Sequence, residues 1–340
     1  MKKPLIYLFF LPVLFFFVSC DNIIEENTPA NVFEVFWRTM DENYVFFQEK
    51  GVDWDAVYDE YAPKARMAKD DDDLANIFQE ILPLFQDGHL WIGNTGSTAI
   101  VSCVTSAFFW NDNRVDLLTT NGFETIHSEQ QLVILEHKKK QVAYFKLNTF
   151  FYQQNGLSTN NPENLLKSLE FSNGLIIDLM HNDGGCAQNA RNFISAFFMN
   201  RKIVEYTQHK TGKGRNDFSD KIPRIRQGKG YVPDDVPLII LISPGTFSAG
   251  NFAVYMLADL RNSTVIGAPT GGGGGSPRTT ILPNGWSFTF PINKNFSPSG
   301  RNTEFRFEPD IKMVFDGGRI ALRDSILAAA LEYLKNTSNP

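Results

Sequence analysis

Ser248 stands where a polar side chain follows a break in an apolar pattern. The run Pro237-Leu238-Ile239-Ile240-Leu241-Ile242 ends in the turn Ser243 to Phe247, and Ser248 then opens a helical stretch beside Ala249 and Gly250. A hydroxyl at a helix start is exposed. The N–H groups there, that of Ala249 first, together with the helix dipole can receive the negative oxygen that forms when a hydroxyl attacks a carbonyl. A serine in this place also serves as an ordinary N-cap, and the local pattern does not separate the two roles. The segment His181-Asn182-Asp183-Gly184-Gly185 likewise follows a buried run, Gly174 to Leu179. Its paired glycines, Gly184 and Gly185, let backbone N–H groups approach a substrate oxygen with no side chain between them. A plain glycine turn before a helix has the same composition.

A serine hydroxyl needs a base at neutral pH, and the chain offers five histidines, two lysine-rich segments and several carboxylates. His89 is the best placed. It follows Asp87-Gly88 where a helical periodicity stops and a strand-like one begins, so that its ring can project into a cleft. A lone histidine is also compatible with a structural role.

The elements that must position these residues follow from periodicity. Thr28-Pro29 offers an N-cap and a first-turn proline, after which Phe33, Phe36, Met40 and Tyr44 recur at helical spacing. A second helix is expected near Asp53. A third is expected after Asp70 to Asp73, with Leu74, Ile77, Phe78, Ile81, Leu82 and Phe85 on one face. Four consecutive aspartates do not converge on one face, so they suit a solvated helix start better than a metal site. From Leu90 to Leu147 the short runs Ala107 to Trp110, Leu132 to Leu135 and Val142 to Leu147 read as a β-rich middle segment. Two strand-loop-helix units follow, Gly174 to Phe198 and Pro237 to Leu260, and predict an α/β core with a largely parallel sheet. Asn284-Gly285 marks a hairpin, and Ile320 to Leu334 a closing amphipathic helix.

The N-terminus predicts export. Lys2 and Lys3 precede an apolar run from Leu5 to Val18 that ends at Ser19-Cys20. The expectation is a signal peptide over 1–20, Cys20 as the lipid-modified residue although Phe17 stands where leucine is usual, and a linker over 21–30. No later run is apolar enough to span a bilayer, so the chain would sit on a membrane of the cell envelope through lipid alone. With a net charge of −6 and only the short Lys138-Lys139-Lys140 run, a nucleic-acid partner is not expected. Cys103 and Cys186 have no metal-ligand spacing; whether they pair stays open.

Three ordered segments together resemble the C-terminal-processing (tail-specific) and tricorn-type serine peptidases. Asp87-Gly88-His89-Leu90 resembles the family's D-x-H segment, Gly174 to Gly185 its strand followed by N-x-G-G, and Thr246-Phe247-Ser248-Ala249 its nucleophile segment. Val265-Ile266-Gly267 with Thr270, and Glu308-Pro309-Asp310-Ile311, extend the resemblance, which covers roughly Asn31 to Val314. It implies a crotonase/Clp-protease-like α/β core over 89–340 behind a small helical domain over 31–88. It further implies Ser248 as nucleophile, His89 as general base, Gly184 or Gly185 with Ala249 as oxyanion donors, polypeptide substrates, and neither cofactor nor metal. Members with a Ser-Lys dyad carry lysine where this chain has Gly273, and the stretch Leu90 to Gln141 is too short for a complete PDZ module of about 80 to 90 residues. Both departures point to the tricorn-like branch, in which a glutamate orients the histidine. Glu304 is the nearest counterpart, one residue short in spacing, with Glu308 as the fallback. Gly88 replaces a serine of the tricorn relay. The alternative implied by the same fold is a non-catalytic binding module. Oligomeric state is not legible.

Overall fold

The computed structural model describes residues 27–93, 99–102, 124–129, 132–137, 140–151, 162–167, 174–259, 263–314 and 319–337. The leader, Cys20, Cys103 and the Ala107 to Trp110 run lie outside the described residues.

Four helices come first: α1 (Pro29–Asn43), α2 (Phe47–Lys50), α3 (Trp54–Met67) and α4 (Asp71–Ile81). Thr28 is the cap the sequence proposes, and Asp53 and Asp70, expected only to mark helix starts, prove to be caps as well. Thr28 Oγ1 accepts the N–H of Asn31, Asp53 that of Ala56 and Asp70 that of Asp73, each supplying a partner for a helix-start donor. The apolar face of α4 continues through a single 3₁₀ turn, Leu82–Phe85, because Pro83 offers no N–H to extend the α-helical ladder. α2 is not apparent from periodicity, since one turn presents no repeat; it closes on Gly51 at φ 66°, a left-handed value that suits glycine.

The remaining elements, in chain order, are β1 (Trp91–Gly93), β2 (Ala99–Ser102), β3 (Glu124–Glu129), β4 (Leu132–His137), β5 (Lys140–Lys146), α5 (Pro162–Lys167), β6 (Leu175–Asp178), α6 (Ala187–Ile194), β7 (Lys202–His209), β8 (Ile222–Arg226), β9 (Leu238–Ile242), α7 (Ala249–Ala258), β10 (Ser263–Gly267), β11 (Pro277–Ile281), β12 (Ser287–Pro291), β13 (Asn293–Phe296), β14 (Ile311–Lys312) and α8 (Arg319–Thr337). The central sheet runs β14-β10-β9-β6-β5-β4-β3, parallel from β14 to β5 and antiparallel beyond. β6 and β9 are buried on both faces. Ile177, Ile240 and Ile242 pack with Phe193, Phe252 and Ala253 of α6 and α7, while Ile176, Ile239 and Leu241 pack with Ile326, Ala330 and Leu331 of α8. A sheet covered on both faces explains the unbroken apolar runs of these strands.

The middle segment departs from the expectation of one β-rich unit. β3 to β5 extend the central sheet, whereas β1 and β2 join the Asn284-Gly285 hairpin in a second sheet ordered β11-β12-β1-β2. Alternation fixes which face of a strand is buried, not which strand lies beside it. That second sheet caps the helices, with Phe288 of β12 5.0 Å from Phe36 in a core shared with Phe78 and Trp54. A third sheet, β13-β7-β8, has no counterpart in the sequence expectations.

Candidate active site

Ser248 leaves β9 through a turn fixed at several points. Thr246 Oγ1 donates to the Leu179 carbonyl, Phe247 N–H donates to the Asn182 carbonyl, and Ser248 N–H donates to the Gly272 carbonyl at 2.9 Å. These bonds hold Ser248 at φ 53°, ψ −120°, a backbone region that non-glycine residues rarely occupy and that costs on the order of 1–3 kcal/mol. The strain aims Oγ away from α7 instead of into an N-cap bond; Ser248 makes no side-chain cap. Across from it, His89 Nε2 lies 3.0 Å from Ser248 Oγ, the separation a proton transfer requires. The imidazole is 8% exposed and packs on the Phe247 ring at 5.0 Å.

Asp87 fixes the histidine from behind. Its Oδ1 accepts the His89 N–H at 2.9 Å, and its Oδ2 accepts the Tyr44 hydroxyl at 2.8 Å, so the end of α1 braces the segment. Burial lowers the His89 pKa below its ordinary value, opposed by Asp87 and reinforced by Lys50, which keeps the ring neutral at pH 7. His89 Nδ1 is buried and makes no hydrogen bond among the described residues.

Glu304 is buried in the same region, although it does not hydrogen-bond to His89. Lys50 Nζ sits 2.7 Å from Oε1, and Gly274 N–H donates to Oε2 at 3.0 Å. Burial first, then the Asp87 charge, pushes the Glu304 pKa up to about 7, with Lys50 and Gly274 opposing. Its segment is held by Asn251, which donates to the Thr303 carbonyl, and by Thr270, which bonds to Asn251 and accepts the Phe307 N–H. The fallback carboxylate, Glu308, is more than half exposed and pairs with Lys312 at the surface. Lys294 of β13 is committed to Glu49 at 2.5 Å.

The two glycines separate. Gly184 donates its N–H to Asn182 Oδ1 at 3.1 Å, which removes it from the expected oxyanion donors. Gly185 N–H and Ala249 N–H form no hydrogen bond among the described residues; Ala249 follows Ser248 in the chain, and Gly185 follows Gly184, the glycine that lies against Ser248. A Cβ on Gly184 would lie 2.7 Å from Ser248 Cβ, so the loop passes against the serine with no room for a side chain. At Gly273, φ is 83° and a Cβ would lie 2.4 Å from the Phe247 ring, which leaves no place there for a lysine. Cys186, beside Gly185, is an exposed free thiol. No group of three or more metal-binding side chains occurs among the described residues.

Nothing in residue type or spacing marks Lys50, Tyr44 or Asn182 for a chemical role. Lys50 lies in the unpredicted α2, and only long-range packing brings it to Glu304.

Residues 141–313, just over half of the chain, match peptidase family S41, and residues 25–83 match the tricorn protease C1 domain. The chain belongs to peptidase family S41. Within it, a carboxy-terminal-processing protease from Bartonella bacilliformis is 30% identical over 141 residues, 41% of this chain and 30% of the relative. A carboxyl-terminal-processing protease from Picosynechococcus is 25% identical over 168 residues, 48% of this chain and 36% of the relative. The chain thus spans about a third of the length of the curated relatives it matches. Among solved structures, a candidate peptidase from Parabacteroides merdae superposes with a TM-score of 0.76 at 29% identity, over 91% of this chain and 97% of the other. Mature CPAF complexed with lactacystin gives 0.66 at 11% identity, over 91% and 97%. The tricorn protease gives 0.52 at 15%, over 90% of this chain and 37% of the other. These last two show the fold, an S41 fold with a largely parallel sheet.

Proposed function

We propose that this S41 member is a serine peptidase that hydrolyses polypeptides through an acyl-enzyme on Ser248. The observation that carries the proposal is the 3.0 Å contact between His89 Nε2 and an Oγ presented on a strained backbone. A serine serving only as a cap has no need of that strain, and a carrier domain has no need of the paired imidazole.

In the proposed reaction His89 carries its proton on Nδ1, and Nε2 takes the Ser248 proton as Oγ attacks the peptide carbonyl. The tetrahedral oxyanion accepts hydrogen bonds from Ala249 N–H and Gly185 N–H. The imidazolium returns the proton to the departing amine, leaving the acyl group on Oγ. Water, deprotonated by the same nitrogen, then releases the acid. Glu304 acts through its charge in the pocket it shares with Asp87 and Lys50, where a carboxylate favours the imidazolium.

Digestion of unstructured polypeptides by the protein lacking 1–20, beside Ser248→Ala, tests the proposal. Cleavage that requires Ser248 supports it; equal cleavage by both, or by neither, contradicts it. The leader supports placement at the cell envelope through a lipid on Cys20, and no described helix is long and apolar enough to cross a membrane. Cys20→Ala should then release the protein from the membrane fraction, and unchanged fractionation would contradict anchoring at that residue.

A further inference from the structure

α2 is one turn long, yet its last two side chains both pair with residues of the C-terminal part of the chain. Glu49 pairs with Lys294 of β13 and accepts from Asn302 at 3.4 Å. Lys50 turns to the other side. Its Nζ lies 2.7 Å from Glu304 Oε1 and donates to the Gln86 carbonyl at 3.3 Å. Gln86 is held in the left-handed region at φ 45° and leads directly into Asp87-Gly88-His89. One ammonium group therefore touches the segment that carries the base and the carboxylate that shares its pocket.

We propose that Lys50 is a positioning residue of the active site, holding the Glu304 carboxylate and the His89-bearing segment in one arrangement, so that the helical layer completes the catalytic centre. This rests on the peptidase function proposed above. The pair is well shielded, with side chains 12% and 1% exposed, so neither charge is relieved by water if the other is removed. The groups facing Glu304 are Lys50 from α2 and Asp87 from the segment before β1. Tyr255 of α7 also lies within reach of its charge. Removing Lys50 leaves Asp87 as the dominant charge beside Glu304, and a buried carboxyl in that position takes up a proton more readily. Lys50 also lowers the His89 pKa, so its loss moves both groups in the same direction. A purely structural role is already filled next door, where Glu49 and Lys294 pin α2 to β13.

A fluorophosphonate probe measures this without knowledge of the natural substrate, since its rate of reaction with Ser248 follows the state of the base. The rate is recorded against pH for the wild-type chain, Lys50→Met, Lys50→Arg and Glu49→Gln, with thermal melting of each. The acid limb of Lys50→Met should move upward by about half a pH unit or more, as expected for loss of a neighbouring positive charge. Lys50→Arg should restore the limb, and Glu49→Gln should lower the melting temperature while leaving the limb in place. If Lys50→Met does not fold, Lys50→Gln is read in its stead. A limb that coincides with the wild-type limb in the folded variant, or one that Arg does not restore, overturns the role of Lys50. Absence of labelling in the wild-type chain instead overturns the peptidase function itself.

Discussion

The Asn182 carbonyl accepts the N–H of Phe247 at 2.8 Å, which locks the loop after β6 to the turn that presents Ser248. The Asn182 side chain completes the lock, donating to the Leu147 carbonyl at 2.9 Å and accepting the Gly184 N–H at 3.1 Å, all in a fully buried position. Asn182→Ala strands both partners. The expected loss is about 2–4 kcal/mol of stability, since each stranded buried group costs roughly 1–3 kcal/mol. Denaturant unfolding measures it, and turnover of the folded fraction should fall at least about tenfold as Gly185 shifts relative to Ser248.

Gly185→Ala should disable the oxyanion site without touching Ser248 or His89. Its φ is 122°, and a Cβ would lie 2.6 Å from the Phe150 and Phe151 backbone, so the loop must move. Displacing one donor is expected to lower kcat by about a hundred- to a thousand-fold with a smaller change in KM. Steady-state kinetics on a peptide substrate reads both. A variant with full kcat would remove Gly185 from the mechanism.

Gly273→Lys tests whether a lysine could take over as base. The residue already sits at φ 83° against the Phe247 ring, so the substitution should destabilise the protein by more than about 1 kcal/mol. It should also fail to restore activity to His89→Ala. Restored activity would show that the glycine turn tolerates the side chain and that His89 is replaceable.

Much of this architecture is legible in the sequence because local physics decides it. The cap at Thr28, the helix starts near Asp53 and Asp70, the buried β6 and β9, and the Gly285 turn all follow from residue type and spacing over a few positions. A break in periodicity marks Ser248 and His89 only as candidates, and it is the resemblance of three ordered segments that singles them out as nucleophile and base. What escapes is set by distance along the chain. The pairing of β1 with β12 joins residues nearly two hundred positions apart, and Lys50 meets Glu304 from an even greater separation. Gly184 and Gly185 look equivalent in sequence, and the fold distinguishes them, with Gly184 bonded to Asn182 and lying against Ser248 and Gly185 against the Phe150 and Phe151 backbone.

The pH dependence should show two steps. In the proposed reaction the Glu304 carboxylate, whose pKa is pushed up to about 7, favours the imidazolium only when ionised, so kcat/KM should fall first as pH drops through about 7. His89 must be neutral to accept the proton, and burial places its pKa below the ordinary 6.5, so a second fall comes at lower pH. Glu304→Gln should abolish the upper step, lower the plateau and keep the lower fall. An unchanged two-step profile in that variant would show that the upper step belongs to another group.

Whether Ser248 and His89 act as one unit is read from kcat of the wild type, Ser248→Ala, His89→Ala and the double variant on one peptide substrate. Residues that share a single proton transfer are not additive. Each single variant is predicted to lose nearly all turnover, with the double variant no worse than either. Substantial turnover in a folded His89→Ala protein, or losses that multiply in the double variant, would rule out a proton transfer shared by Ser248 and His89.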